Sequence, residues 1–204
     1  MRHIYVFCEG DTEYNYVQKL NRVLRENDCQ DLSFTTVNMN GGLTASGYVS
    51  KIKSEIRKKQ SKDYKNFQEI YIWLDYDIFK RANIAVDEVK KEISSLKAGS
   101  KNLIVILNYM NGEDFMVLNY PKVKVLEWNQ KCIGKNHFEN PMDSVSCIEE
   151  FNKVLPDYQK GHFPMDIAFT KETLKMCLQN MELSDVEIKS DAKTLLEIVL
   201  TKIA

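Results

Sequence analysis

An α/β fold is expected, with a mainly parallel sheet flanked by helices and a mostly helical carboxy-terminal extension. Short apolar runs rich in β-branched and aromatic residues recur through the first half of the chain, as in Ile70-Tyr71-Ile72-Trp73-Leu74. Runs of this kind read as strands buried on both faces of a parallel sheet. Segments with apolar residues at helical spacing separate them, giving the strand–helix alternation of a helix-covered parallel sheet. Beyond Asn108 the pattern turns mostly helical.

In chain order, residues 3–8 form the first expected strand, and Glu9-Gly10 follow it. Asp11 and Thr12 offer an N-cap for a helix to about residue 27, with Tyr16, Leu20, Val23 and Leu24 on one face. A strand over residues 32–39 leads into a flexible Asn40-Gly41-Gly42 loop, and a helix over about 45–62 carries Tyr48, Ile52 and Ile56. Residues 67–74 are the central strand, 86–96 an amphipathic helix and 103–107 another buried strand. A short apolar helix is expected over 114–120, stopped by Pro121, while 122–143 is mixed and given no element. Helices are expected over 146–155, 169–181 and 191–203, the last capped by Ser190 or Asp191. Residues 1–120 form the α/β core and 121–204 an extension packed on it in one compact domain, because no Gly-, Pro- or Ser-rich linker separates them.

The chain has 204 residues, 44% of them hydrophobic, which is ample for a core. No apolar run approaches the roughly 20 residues needed to span a bilayer. Met1-Arg2-His3 runs straight into a strand without the apolar core of a signal peptide, so a cytoplasmic location is expected. The five cysteines are scattered and odd in number, suggesting neither a zinc site nor a disulfide framework. A net charge of −1 argues against a generally basic nucleic-acid coat but leaves room for a local groove.

Chemistry gathers at the strand ends. Asp75 and Asp77 alternate on one face as the central strand runs out, at the edge where open α/β sheets bind ligands. Hard carboxylate oxygens in reach of one cation suit Mg²⁺ or Mn²⁺. Glu9 ends the first strand and Glu113-Asp114 follow the last, so several carboxylates share one edge. Like charges are costly to gather without a cation. The plainer reading also stands: aspartates are common in turns, and acids at helix starts are favoured by the dipole. Lys51, Arg57 and Lys58 on the second helix either track a nucleic-acid backbone or form a solvated face.

These residues carry a specific resemblance. A strand ending in Glu-Gly, a helix, and then an apolar strand ending in Asp-x-Asp resembles the Toprim domain. Within that class the chain is most similar to the RloB-like proteins of bacterial anti-phage and abortive-infection loci. The opening motif is Cys8-Glu9-Gly10-Asp11-Thr12-Glu13 and the second is Asp75-Tyr76-Asp77. An altered third motif is Asn111-Gly112-Glu113-Asp114-Phe115 running to Asn119-Tyr120, and a late Tyr-x-Lys element is Tyr158-Gln159-Lys160. Phe115 stands where Trp is usual, Asn119 where His is usual, and the Asn-Pro opening is missing.

The resemblance implies a Mg²⁺- or Mn²⁺-dependent nuclease, with Glu9, Asp75 and Asp77 as metal residues. Glu9 doubles as general acid or base, Glu113 completes the site, and Lys160 neutralises phosphate. It implies a nucleic-acid partner, with Lys160 at phosphate beside the basic-run candidates Lys51, Arg57 and Lys58, a partner protein such as an ATPase encoded nearby, and no membrane. The altered third motif favours the alternative, a non-catalytic module that binds nucleic acid or a partner in a defence system.

Overall fold

The computed structural model describes residues 2–60, 69–96, 102–109, 112–131, 152–153 and 167–203. Its centre is a four-stranded parallel sheet of β1 (Arg2–Cys8), β2 (Leu32–Asn38), β3 (Glu69–Asp75) and β4 (Asn102–Asn108), in the order β2-β1-β3-β4. Side chains alternate across a strand, and that alternation sorts the apolar runs into two cores. Ile4, Val6, Cys8, Tyr71, Trp73 and Ile106 enter one, while Tyr5, Phe7, Ile70, Ile72, Leu74 and Leu107 enter the other. Both faces are therefore buried, which is why these runs lack polar residues.

On the first face lie α1 (Asp11–Glu26), α5 (Gly112–Val117), α6 (Lys122–Lys131), α7 (Lys171–Met181) and α8 (Lys193–Lys202). On the second lie α2 (Ala45–Gln60), α3 (Asp77–Arg81) and α4 (Val86–Ser94). The α/β architecture expected from the sequence, with its carboxy-terminal helices, is present and agrees with a Toprim-like fold. Among the described residues no helix is long and apolar enough to cross a membrane.

Several boundaries differ from expectation for local reasons. Gly10, rather than Asp11 or Thr12, caps α1, because the Glu13 side chain turns back to accept the Gly10 N–H at 3.2 Å. α3 starts at Asp77, directly behind the central strand, where no helix was expected. α6 occupies the stretch given no element; of its apolar residues it buries Val125 and Trp128 while Val123 is exposed, so the four apolar positions mark no single face for a periodic signal. α8 starts later than expected, at Lys193 after Ala192, although Ser190 Oγ does accept the Ala192 N–H at 3.1 Å. The expected helix over 146–155 falls almost wholly outside the described residues.

Each sheet edge is met at one point by groups from another segment. At β2 the Asn21 amide donates to the Phe34 carbonyl and accepts its N–H, each at 2.9 Å. At β4 the segment before α8 runs antiparallel, with Tyr109 N–H donating to Lys189 O and Asp191 N–H to Leu107 O, both at 3.0 Å.

Candidate functional site

Parallel strands bring the ends of β1, β3 and β4 to one edge, with Cys8 beside Trp73 and Asp75 beside Asn108. Glu9 is the next residue out from β1 and is 8% exposed. Its Oε2 accepts the Asp75 N–H at 2.8 Å and its Oε1 accepts the Tyr48 hydroxyl at 3.0 Å. The Asn40-Gly41-Gly42 loop closes over the same point, Gly41 N–H donating to the Glu9 carbonyl at 2.8 Å. Asn40, Gly41 and Gly42 all take positive φ there, which explains the Asn-Gly-Gly sequence.

Asp75 is held from two sides. Its Oδ1 accepts the Asn108 amide and its Oδ2 the Gly112 N–H, both at 2.9 Å. Asn108 Oδ1 in turn accepts Trp73 Nε1–H at 3.1 Å and the Ser190 hydroxyl at 2.8 Å. An indole N–H can only donate, so the amide oxygen faces Trp73 and the NH₂ must face Asp75. Gly112 is where α5 meets α1: a Cβ there would stand 2.7 Å from Glu13 Oε1 and 3.1 Å from Thr12 Cγ2. A Cβ at that position would have to displace the Glu13 carboxylate. Asp77 opens α3 and pairs with Arg81 at 2.7 Å. Glu113, half-buried, lies in the first turn of α5.

The charges act on one another. Burial, then the Glu13 charge, pushes Glu9 up to about 8, against the Asp75 N–H and Tyr48 hydrogen bonds. Burial likewise takes Glu13 to about 7, with Glu113 and Asp11 adding to the rise and the Gly10 N–H opposing it. Asp75 is raised well above the carboxylate range by burial and by Glu13, Glu9 and Glu113. Asp77 is raised by burial and Glu113, while Arg81 opposes. Glu9, Glu13, Asp75 and Asp77 thus belong to one electrostatic group, to which the Glu113 charge also contributes.

A set of carboxylate oxygens that resist ionisation together is the donor chemistry of a hard divalent cation, Mg²⁺ or Mn²⁺. The glycine cradle that brings α5 against Glu13 agrees with such a group. The oxygens are nonetheless engaged within the protein, and among the described residues no group of His, Cys, Asp or Glu is arranged to hold an ion as it stands.

Of the site residues expected from sequence, Glu9 and Asp75 are joined by a hydrogen bond, and the charges of Glu9, Asp77 and Glu113 act within the same group. Lys160 lies outside the described residues. Lys51, Arg57 and Lys58 sit along α2, where Arg57 and Lys58 are exposed and Lys58 pairs with Glu55 at 2.8 Å. Sequence reasoning missed Glu13, although it belongs to the opening motif, and Asn108, which reads only as a strand end. It also missed Arg81, whose signal was its spacing of four from Asp77. Comparison with family models, curated proteins and solved structures gives no match to this chain.

Proposed function

We propose that this chain is a metal-dependent phosphodiester-cleaving enzyme of the Toprim, RloB-like kind, acting on nucleic acid inside the cell in phage defence. The observation that carries the reading is the group of Glu9, Glu13, Asp75, Asp77 and Glu113 at one sheet edge, where burial first and the neighbouring carboxylate charges second lift Glu9 to about 8 and Glu13 to about 7. A fold accumulates such strain where it serves a function rather than stability.

Asp75, Asp77 and Glu9 are the residues to hold Mg²⁺ or Mn²⁺, with Glu13 beside them. The bound ion supplies Lewis-acid polarisation of the phosphoryl group and offsets the charge that develops on it. Asn108 and the Gly112 N–H fix the Asp75 carboxylate in orientation. Where Glu9 is not itself a ligand of the ion, its raised proton affinity suits it to take up or release a proton at its carboxylate. Glu113 completes the acidic edge, and Lys160 is assigned to phosphate through the resemblance alone. A neighbouring ATPase is a fitting partner for a chain of this kind.

The test is incubation of the pure protein with plasmid, single-stranded DNA, tRNA and ribosomal RNA in Mg²⁺ or Mn²⁺. Cleavage of at least one is expected, lost in Asp75→Asn with nucleic-acid binding kept. A second reading is favoured by the internal hydrogen bonds of the carboxylates and the absence of a preformed ion cage among the described residues: a module that binds nucleic acid or a partner without cutting. Binding with no cleavage under either ion selects it.

A further inference from the structure

We propose that Arg81 is the exchangeable counter-ion of this site: it pairs with Asp77 in the metal-free protein and passes to a phosphate oxygen of the nucleic acid when a divalent ion takes Asp77. The inference rests on the reading above.

The placement follows from α3. This helix spans only Asp77–Arg81, so its first and last residues lie one turn apart on the same side, at the edge that carries Glu9 and Asp75. Arg81 Nη2 reaches Asp77 Oδ2 at 2.7 Å. The Asp77 side chain is 16% exposed and that of Arg81 is 51% exposed, so the cation stands on the solvent side, where an incoming strand would arrive. A pair whose cation is half in solvent is a weak hold. The helix beneath is firmly held: Phe79 is buried in the second core, Ile84 N–H donates to the Phe79 carbonyl at 3.0 Å, and the Tyr76 hydroxyl donates to the Ile84 carbonyl at 2.9 Å. The guanidinium can therefore turn without backbone movement.

Asp77 cannot serve an ion fully through the oxygen that Arg81 holds. That agrees with the lack, among the described residues, of any group already arranged for a metal. A cation entering the site competes with Arg81, and the released guanidinium presents a planar fork suited to phosphate. Coupling is reciprocal: whatever metal does for Arg81 binding to phosphate, phosphate does for metal.

The experiment measures Mn²⁺ binding by calorimetry for wild type, Arg81→Gln, Arg81→Lys, Asp75→Asn and Asp77→Asn. Binding of a short fluorescein-labelled phosphorothioate single strand, DNA and RNA in turn, is followed by anisotropy with and without Mn²⁺. Arg81→Gln should bind Mn²⁺ several-fold more tightly, because its competitor is gone. The same variant should bind the oligonucleotide about tenfold more weakly in Mn²⁺ and as well as wild type without it. In an Asp77→Asn background, where Arg81 is already released, Arg81→Gln should weaken metal-free binding too. Arg81→Lys, which keeps the charge but loses the fork, should fall between. A fixed structural ion pair predicts no such metal dependence. Unchanged or weaker Mn²⁺ affinity in Arg81→Gln, or an equal loss of oligonucleotide with and without metal, overturns the exchange. Mn²⁺ binding that Asp75→Asn abolishes and Arg81→Gln leaves unaltered keeps the metal site and removes only Arg81. Failure of wild type and Arg81→Gln alike to bind Mn²⁺ overturns both.

Discussion

Glu9 keeps its proton far above the ordinary carboxylate range, and that has a sign at the level of stability. Its proton affinity is raised from 4.5 to about 8 in the folded chain, and that of Glu13 from 4.5 to about 7. Across those windows the folded protein holds protons that the unfolded chain has released, so stability falls as pH rises. A tenfold difference in proton affinity between the two states is worth about 1.4 kcal/mol, so the metal-free protein should lose a few kcal/mol between about pH 5 and pH 8. Thermal melts in a chelator should record this as a falling midpoint, and Mg²⁺ or Mn²⁺ at the upper pH should restore it. Glu9→Gln should flatten the profile and melt higher than wild type at about pH 8. Its amide oxygen can still accept the Asp75 N–H, and its NH₂ can donate to a Tyr48 hydroxyl that turns from donor to acceptor. A flat wild-type profile, or an equal slope in Glu9→Gln, would count against the crowded carboxylates. Glu9, Asp75 and Asp77 were legible because each follows directly on a buried run. Glu13 was not, since an acid in the first turn of a helix has an ordinary explanation in the dipole. Asn108 was hidden for another reason: Ser190, which helps orient its amide, lies 82 residues along the chain.

At the scale of elements, α5 depends on neighbours more than on its own sequence. It spans six residues, too short to persist alone, and buries Phe115, Met116 and Val117. Polar groups from other elements complete it. The Asp114 carboxylate accepts Trp128 Nε1–H from α6 at 2.7 Å, and the Tyr16 hydroxyl of α1 donates to Asn119 at 2.9 Å. Past its end, the Leu118 and Tyr120 carbonyls accept the Asn180 amide of α7 at 2.9 and 2.8 Å. Asn180→Ala strands two buried carbonyls, so it should destabilise the protein by about 2–3 kcal/mol in denaturant titration. Asn180→Asp, which cannot donate, should not rescue it. A loss within experimental error would place those carbonyls in contact with water. The dependence also explains what sequence did not convey. An almost unbroken apolar stretch such as Phe115-Met116-Val117-Leu118 has no period to set helix limits, and the apolar residues of α6, Val123, Val125, Leu126 and Trp128, mark no single helical face. The long, periodic α1 was readable to within a residue or so at each end.

Across the whole molecule, the parallel sheet was legible because apolar runs and amphipathic segments alternate through β4, and parallel strands require such crossovers. What no local pattern carries is the return of the carboxy-terminal segment to the β4 edge. There Asp191 accepts the Lys90 ammonium at 2.8 Å and the Tyr109 hydroxyl at 3.2 Å, while Ser190 reaches Asn108 and through it Asp75. The same segment supplies Val186, Ile188, Leu195, Leu196 and Val199 to the core that also holds Trp73 and Tyr16. Burying an aliphatic side chain contributes about 1.5–3 kcal/mol, so these residues together are worth roughly 8–15 kcal/mol, as much as the net stability of a typical domain. Ending the chain after Asp185 should therefore abolish cooperative unfolding and near-ultraviolet circular dichroism, rather than yield a weaker α/β core with its site intact. A truncated chain that still melts cooperatively, with dispersed amide resonances for β1 and β3, would mean that residues 186–204 are an appendage and that Asp75 is positioned without them.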